Sequence, residues 1–116
     1  MNDYLLQPLL RAIAAGDDDA AEVAVSGLSA LDGAALPQLM HLSCTGDLDQ
    51  RWWSVRAVAE LAEEHPDERD QAMPALLSAL LDPEDSIRCV AALGLGQMLA
   101  PAFRNELPAE TVDEGM

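Results

Sequence analysis

The residues best suited to recognition chemistry lie together, in Arg51-Trp52-Trp53-Ser54-Val55-Arg56. Two guanidinium groups flank two indoles, and both kinds of group recur at the centres of protein interfaces. With Val55 at the middle of a buried helical face and about 100° per residue, Trp52 falls at the edge of a core, beside Ala59. Trp53 then points nearly opposite, next to Ala57 and Glu60. It either faces outward as an anchor or packs beneath the long turn that precedes this helix. Arg56 stands four residues after Trp52, within reach of a cation–π contact. Trp53, Arg56, Trp52 and Arg51 are therefore candidate partner-binding residues, with Arg88 joining them by its position in the repeat described below.

Catalytic chemistry finds little to work with. Gly94-Leu95-Gly96 lies inside a helical pattern rather than after a strand, so it is no phosphate loop. No serine or cysteine sits in a recognisable nucleophile motif with a histidine and an acid. The many carboxylates fall on turns and outer faces, and nothing selects two of them as a hydrolytic pair. Asp17-Asp18-Asp19 complements the positive end of a helix; it lacks the alternating oxygen ligands and closing glutamate of a calcium loop. His41 is solitary on a short helix. Cys44 and Cys89 occupy different helices with no C-x-x-C spacing, which predicts free thiols. No catalytic residue, metal ligand or cofactor is expected, and the chain is read as non-enzymatic.

Elements that could hold the Arg–Trp stretch must be helical and closely packed. Half of the 116 residues are apolar but only 3% are aromatic, so the core must be aliphatic. A chain of this length forms one domain and buries roughly two thirds of its unfolded surface. Its net charge is −15, with 21 acids against six arginines and no lysine. Such a surface repels nucleic-acid phosphates and anionic membranes, and favours a cationic partner or plain solubility. The first residues lack the basic region of a secretion signal, and no apolar run is long enough to span a bilayer. A reducing cytoplasm is the expected location.

Caps and breakers predict six helices. The first runs from about Asp3 to Ala15, with Pro8 at its start or kinking it, and ends at Gly16. The second opens at Asp17 to Asp19 and reaches about Leu31. The third spans about Leu36 to Cys44, the fourth about Leu48 to Glu64 before Pro66, and the fifth about Asp67 to Leu81 around Pro74. The sixth follows the turn Asp82-Pro83-Glu84-Asp85, capped by Asp82 or Asp85, with Pro83 in the first turn. Its buried face is Ile87, Val90, Ala91, Gly94 and Met98, small enough to admit a neighbouring helix closely. After Leu99, Pro101 and Pro108 read as a cap and then an acidic tail, with Phe103 and Leu107 folding back over the last hairpin.

A constant stride links these helices. Val23, Val55 and Ile87 are 32 residues apart. Ser26, Val58, Val90; Gly27, Ala59, Ala91; and Ala30, Ala62, Gly94 keep step with them. Small or apolar residues recurring at one period point to a helical repeat array with a shared seam.

Leu76 to Leu99, LLSALLDPEDSIRCVAALGLGQML, resembles a HEAT repeat of the short bacterial, phycobilisome-lyase-like kind. The resemblance rests on an Asp-containing turn, a Val/Ile-Arg pair opening the second helix, and small residues after it. Ile87-Arg88 and Val55-Arg56 carry the pair, whereas Val23 is followed by Ala24 and lacks the arginine. The aspartate-to-arginine spacing holds only for Asp82 and Arg88. The resemblance implies that Arg56 and Arg88 bond turn aspartates of their own or the neighbouring repeat, and gives Asp82, Val23, Val55 and Ile87 structural roles. It also implies a right-handed α-solenoid of about three antiparallel helix pairs, at residues 3–32, 35–65 and 67–99, with 101–116 as cap and tail.

The expected function is a non-catalytic protein-binding module or scaffold that engages a partner protein, with a basic surface, through the second helix of each pair. The same residues are compatible with a subunit of a larger assembly, with an accessory subunit of an enzyme such as a bilin lyase, or with an acidic mimic of nucleic acid. Direct binding to nucleic acid or membrane is not expected.

Overall fold

The computed structural model describes the backbone of residues 3–30 and 34–106, and the side-chain surroundings of residues 5–30 and 34–97. A 3-10 turn at Asp3–Leu6 leads into α1, Gln7–Ala15; the helices α2, Asp18–Ser29, α3, Leu36–Thr45, and α4, Leu48–Glu64, follow. A second 3-10 turn, Pro66–Glu68, precedes α5, Arg69–Ala79, and α6, Asp85–Glu106, completes the described chain. No strand occurs among the described residues.

Local chemistry explains where each helix starts and stops. Pro8 and Pro37 fall in the first turns of α1 and α3, where an N–H has no helical partner to lose. Gly16 adopts φ 69° and donates to Ile13 O, while Asp17 N reaches Ala12 O at 3.0 Å, which closes α1 in a left-handed cap. Asp17 Oδ1 then accepts from Ala20 N at 3.1 Å and opens α2. Asp47 and Gln50 form a reciprocal capping box at α4: Gln50 N donates to Asp47 Oδ1 at 2.9 Å, and Asp47 N to Gln50 Oε1 at 3.1 Å. Asp82 does not cap α6 directly. Its Oδ1 accepts from Glu84 N at 2.9 Å, which orders the turn, and Pro83 sits in that turn ahead of the helix.

The helices pair as α1/α2, α3/α4 and α5/α6, joined by short connections that make neighbours antiparallel. Second helices pack side by side, α2 on α4 and α4 on α6, while α3 lies against α5. The result is an all-α, solenoid-like stack with α4 at its centre. The large fully buried side chains are aliphatic apart from Ser54 and come from every hairpin: Leu9 and Val25, Leu36, Leu39, Val55, Val58 and Leu61, then Leu76 and Ile87. Among the described residues, no helix is long and apolar enough to cross a membrane.

The constant stride of 32 fails in the first hairpin. Val55 and Ile87 are buried as expected, but Val23 is 72% exposed, and Ser26, Gly27 and Ala30 are exposed with it. The inward residues of α2 are Ala21, Val25 and Leu28, which stand 34 positions before Val55, Ala59 and Ala62. The inward positions are thus 34 residues apart from α2 to α4 and 32 apart from α4 to α6. Helix α4 begins at Leu48, as expected, and so carries an additional N-terminal turn before Val55 relative to α6 before Ile87.

Helix α6 continues across Pro101 to Glu106. The expected fold-back of Phe103 and Leu107, and the acidic tail, lie outside the residues whose side chains are described.

Candidate partner-binding face

The second-helix layer brings the Arg–Trp stretch of α4 between α2 and α6. In the 34-residue register Glu22 stands level with Arg56, and the two side chains meet. Arg56 Nε donates to Glu22 Oε2 at 3.1 Å and Nη2 to Glu22 Oε1 at 2.8 Å, a two-pronged bridge between the first and second hairpins. Its Nη1 reaches Glu60 Oε1, one helical turn on, at 3.4 Å. Partial burial pulls the Arg56 pKa down, but the hydrogen bonds and charges of Glu22 and Glu60 outweigh it and hold the value above that of free arginine. This arginine therefore bonds glutamates on helices, not the turn aspartate that the family resemblance implies.

Arg51 and Arg88 serve the third hairpin's turn. Arg51 Nη2 contacts Asp82 Oδ1 at 3.4 Å, and its Nη1 donates to Gly46 O at 3.4 Å, so one side chain spans two turns. Arg88 Nη1 donates to Asp82 O at 2.7 Å and its Nη2 pairs with Asp85. Asp82 is thus held by an arginine from each of two neighbouring hairpins. The three arginines proposed from sequence as partner contacts are all engaged within the chain.

The tryptophans divide. Trp53 takes the buried one of its two possible placements and is 9% exposed, whereas Trp52 is half-buried. Their rings form an edge-to-face pair, centroids 5.0 Å apart and planes at 78°. Beside them opens a groove of about 450 Å³, lined also by Asp18, Asp19 and Glu22 of α2, Leu48 and Asp49 of α4, and Ser86 of α6. A second groove of about 280 Å³ lies between α4 and α6, lined by Arg56, Ala59, Glu60, Glu63, Val90, Leu93, Gly94 and Gln97. Leu93 is 62% exposed at its edge.

Glu22, Asp49 and Leu93 were not singled out by sequence reasoning, and Asp18 and Asp19 were read there only as the acidic start of a helix. The 34-residue spacing of Glu22 and Arg56 is the one signal that could have found the first of them. Val55 and Ile87 lie in the core beneath this face; Val23 stands outside it, against a shallow apolar groove with Leu5 and Pro8 of the first hairpin.

This geometry is that of stacked helical hairpins whose second helices share one face, and the third hairpin carries the decisive match. Residues 72–100 match the HEAT repeat. The HEAT repeat thus covers most of α5 and the first part of α6, the hairpin in which Asp82 and Arg88 keep the family spacing. It supports the HEAT-repeat family for the chain, without reaching the bacterial phycobilisome-lyase type. HEAT repeats generally act as protein-interaction scaffolds and are typically non-catalytic. No curated protein matches the chain, and no solved structure matches it.

Proposed function

We propose that the chain is a protein-binding module of three HEAT-like hairpins, at residues 3–32, 35–65 and 67–99, and that it engages a partner with a basic surface along α2, α4 and α6. One observation carries this reading. The second-helix layer holds two adjoining grooves edged by carboxylates, with Leu93 standing exposed beside one of them. A shallow, stiff surface of this kind suits a partner's helix or tail. The net charge of −15 adds long-range attraction for cationic surfaces. The cytoplasm is the proposed location.

Affinity capture with the full chain tests the face. Glu63 and Leu93 lie on it; Asp70 lies on α5, in the other layer. Glu63→Arg and Leu93→Asp should each lower partner recovery by about fivefold or more, and Asp70→Arg should not. Equal losses from all three variants, or none, would remove α2, α4 and α6 as the contact.

A further inference from the structure

We propose that the Trp52–Trp53 groove takes up a single lysine or arginine side chain from a flexible segment of the partner protein. The proposal rests on the protein-binding reading above and specifies its chemistry.

The groove combines two features that select an organic cation. Its floor is aromatic. The two indoles stand at 78° to each other and form a corner, in which the half-buried Trp52 supplies most of the open ring surface and Trp53, 9% exposed, little. Its rim is anionic. Asp18, Asp19, Glu22 and Asp49 border it, and the lining includes no arginine or histidine. Glu22 is committed to Arg56, but Asp18, Asp19 and Asp49 are exposed and enter no ion pair among the described residues. Arg51, Arg56 and Arg88 are engaged elsewhere.

Each alternative occupant meets an objection on the page. An anion faces the carboxylates. A purely apolar side chain would desolvate them without giving them a partner. A hard metal ion needs a cage of oxygen ligands, and indoles supply none; among the described residues no group of three or more carboxylates, histidines or cysteines is arranged to hold one. A lysine or arginine side chain satisfies both features at once. Its methylene stem lies on the rings, and its charged head reaches the carboxylates while keeping contact with water. A volume of about 450 Å³ leaves room for a side chain with part of its backbone. Leu48, 41% exposed, and Ser86, also exposed, leave the mouth open for a chain to pass.

The test uses the full chain, whose only two tryptophans are the reporters. A flexible glycine–serine peptide carrying one arginine is titrated at low salt while indole emission is followed. The control peptide carries citrulline, which has nearly the same shape and no charge. The arginine peptide should change the emission saturably and the citrulline peptide should not. The combined variant Asp18→Asn, Asp49→Asn should weaken binding by about fivefold or more, and Asp70→Asn, on α5 in the other layer, by less than about twofold. Asp19→Asn provides an independent second variant, and far-ultraviolet circular dichroism checks that each is folded. Equal response to citrulline, or equal weakening by Asp70→Asn, overturns the proposal in favour of an apolar contact or diffuse charge attraction. Binding of free L-argininamide as tightly as the peptide also overturns it, in favour of a small-cation site. If partner recovery still depends on Glu63 and Leu93 while the groove variants bind the peptide normally, the module stands and the groove assignment falls.

Discussion

Gly94 of α6 meets Ala59 of α4 with no side chain between them: a Cβ at Gly94 would lie 2.5 Å from the Ala59 Cβ. Both helices owe their spacing to that missing methyl group, since Ala59 is fixed close to its own backbone and cannot swing away. Replacing Gly94 by alanine adds about 1 kcal/mol of helix propensity. The overpacking it forces costs about 1–3 kcal/mol, so Gly94→Ala should be net destabilising in urea unfolding. Gly96 on the same helix has open space around its would-be Cβ. There the same substitution should stabilise by about 0.5–1 kcal/mol.

The register of α2 makes an equally direct comparison. Val23→Ala should change stability by less than about 0.5 kcal/mol, because its side chain already faces solvent. Leu28→Ala and Ile87→Ala remove buried aliphatic groups and should each cost about 2–5 kcal/mol. Equal costs at Val23 and Ile87 would restore the 32-residue stride.

Glu22 and Arg56 should be coupled. A double-mutant cycle with Glu22→Gln and Arg56→Met should give about 0.5–1 kcal/mol for this partly exposed pair, shrinking as salt is added. Because the Arg56 pKa is raised in the folded chain, its contribution is complete below the ordinary arginine value and is lost only as pH climbs through the folded value. Between about pH 6 and 9 the guanidinium itself therefore adds no pH dependence to stability.

Trp53 and Trp52 should part company on truncation. Trp53→Ala removes a buried ring and should cost about 3–5 kcal/mol in thermal or urea unfolding. Trp52→Ala, at a half-buried position, should cost less. Partner loss with Trp53→Ala is then read against its melting curve, whereas Trp52→Ala reports on recognition more directly.

Helix boundaries were largely legible because they depend on local chemistry. Pro8, Pro37, Gly16, Asp17 and Asp47 act within a few residues of themselves, and helices begin or end beside each one. The burial of Val90, Ala91 and Gly94 was legible because a single apolar face of α6 meets the rest of the fold, at α4 and α5. Trp53 was not. Stepping around a helix from its most apolar residue assumes a single buried face, but α4 is packed by α2, α3, α5 and α6. Trp53, Ser54, Val55, Ala57, Val58 and Ala59 are consecutively or nearly consecutively buried as a result. The register of α2 was obscured by its composition. Alanine, valine, serine and glycine occur at nearly every position, so strides of 32 and 34 both align small residues. Only the observed burial of Ala21, Val25 and Leu28 and the ion pair of Glu22 with Arg56 separate them. The acidic rim of the groove draws on two helices, α2 and α4, and has no linear motif.

The additional N-terminal turn of α4 makes the middle hairpin non-interchangeable. It supplies Leu48, Asp49 and Arg51, so it furnishes part of the groove and the clasp on Asp82 together. A shortened protein that splices residue 34 directly to residue 66 would lead from α2 into α5 and lack both. Duplicating the third hairpin in place of the second would restore the stacking seam but not the indole corner. Whatever enlargement or pruning such arrays tolerate elsewhere, in this molecule the central unit is the one that engineering by module exchange would have to leave untouched.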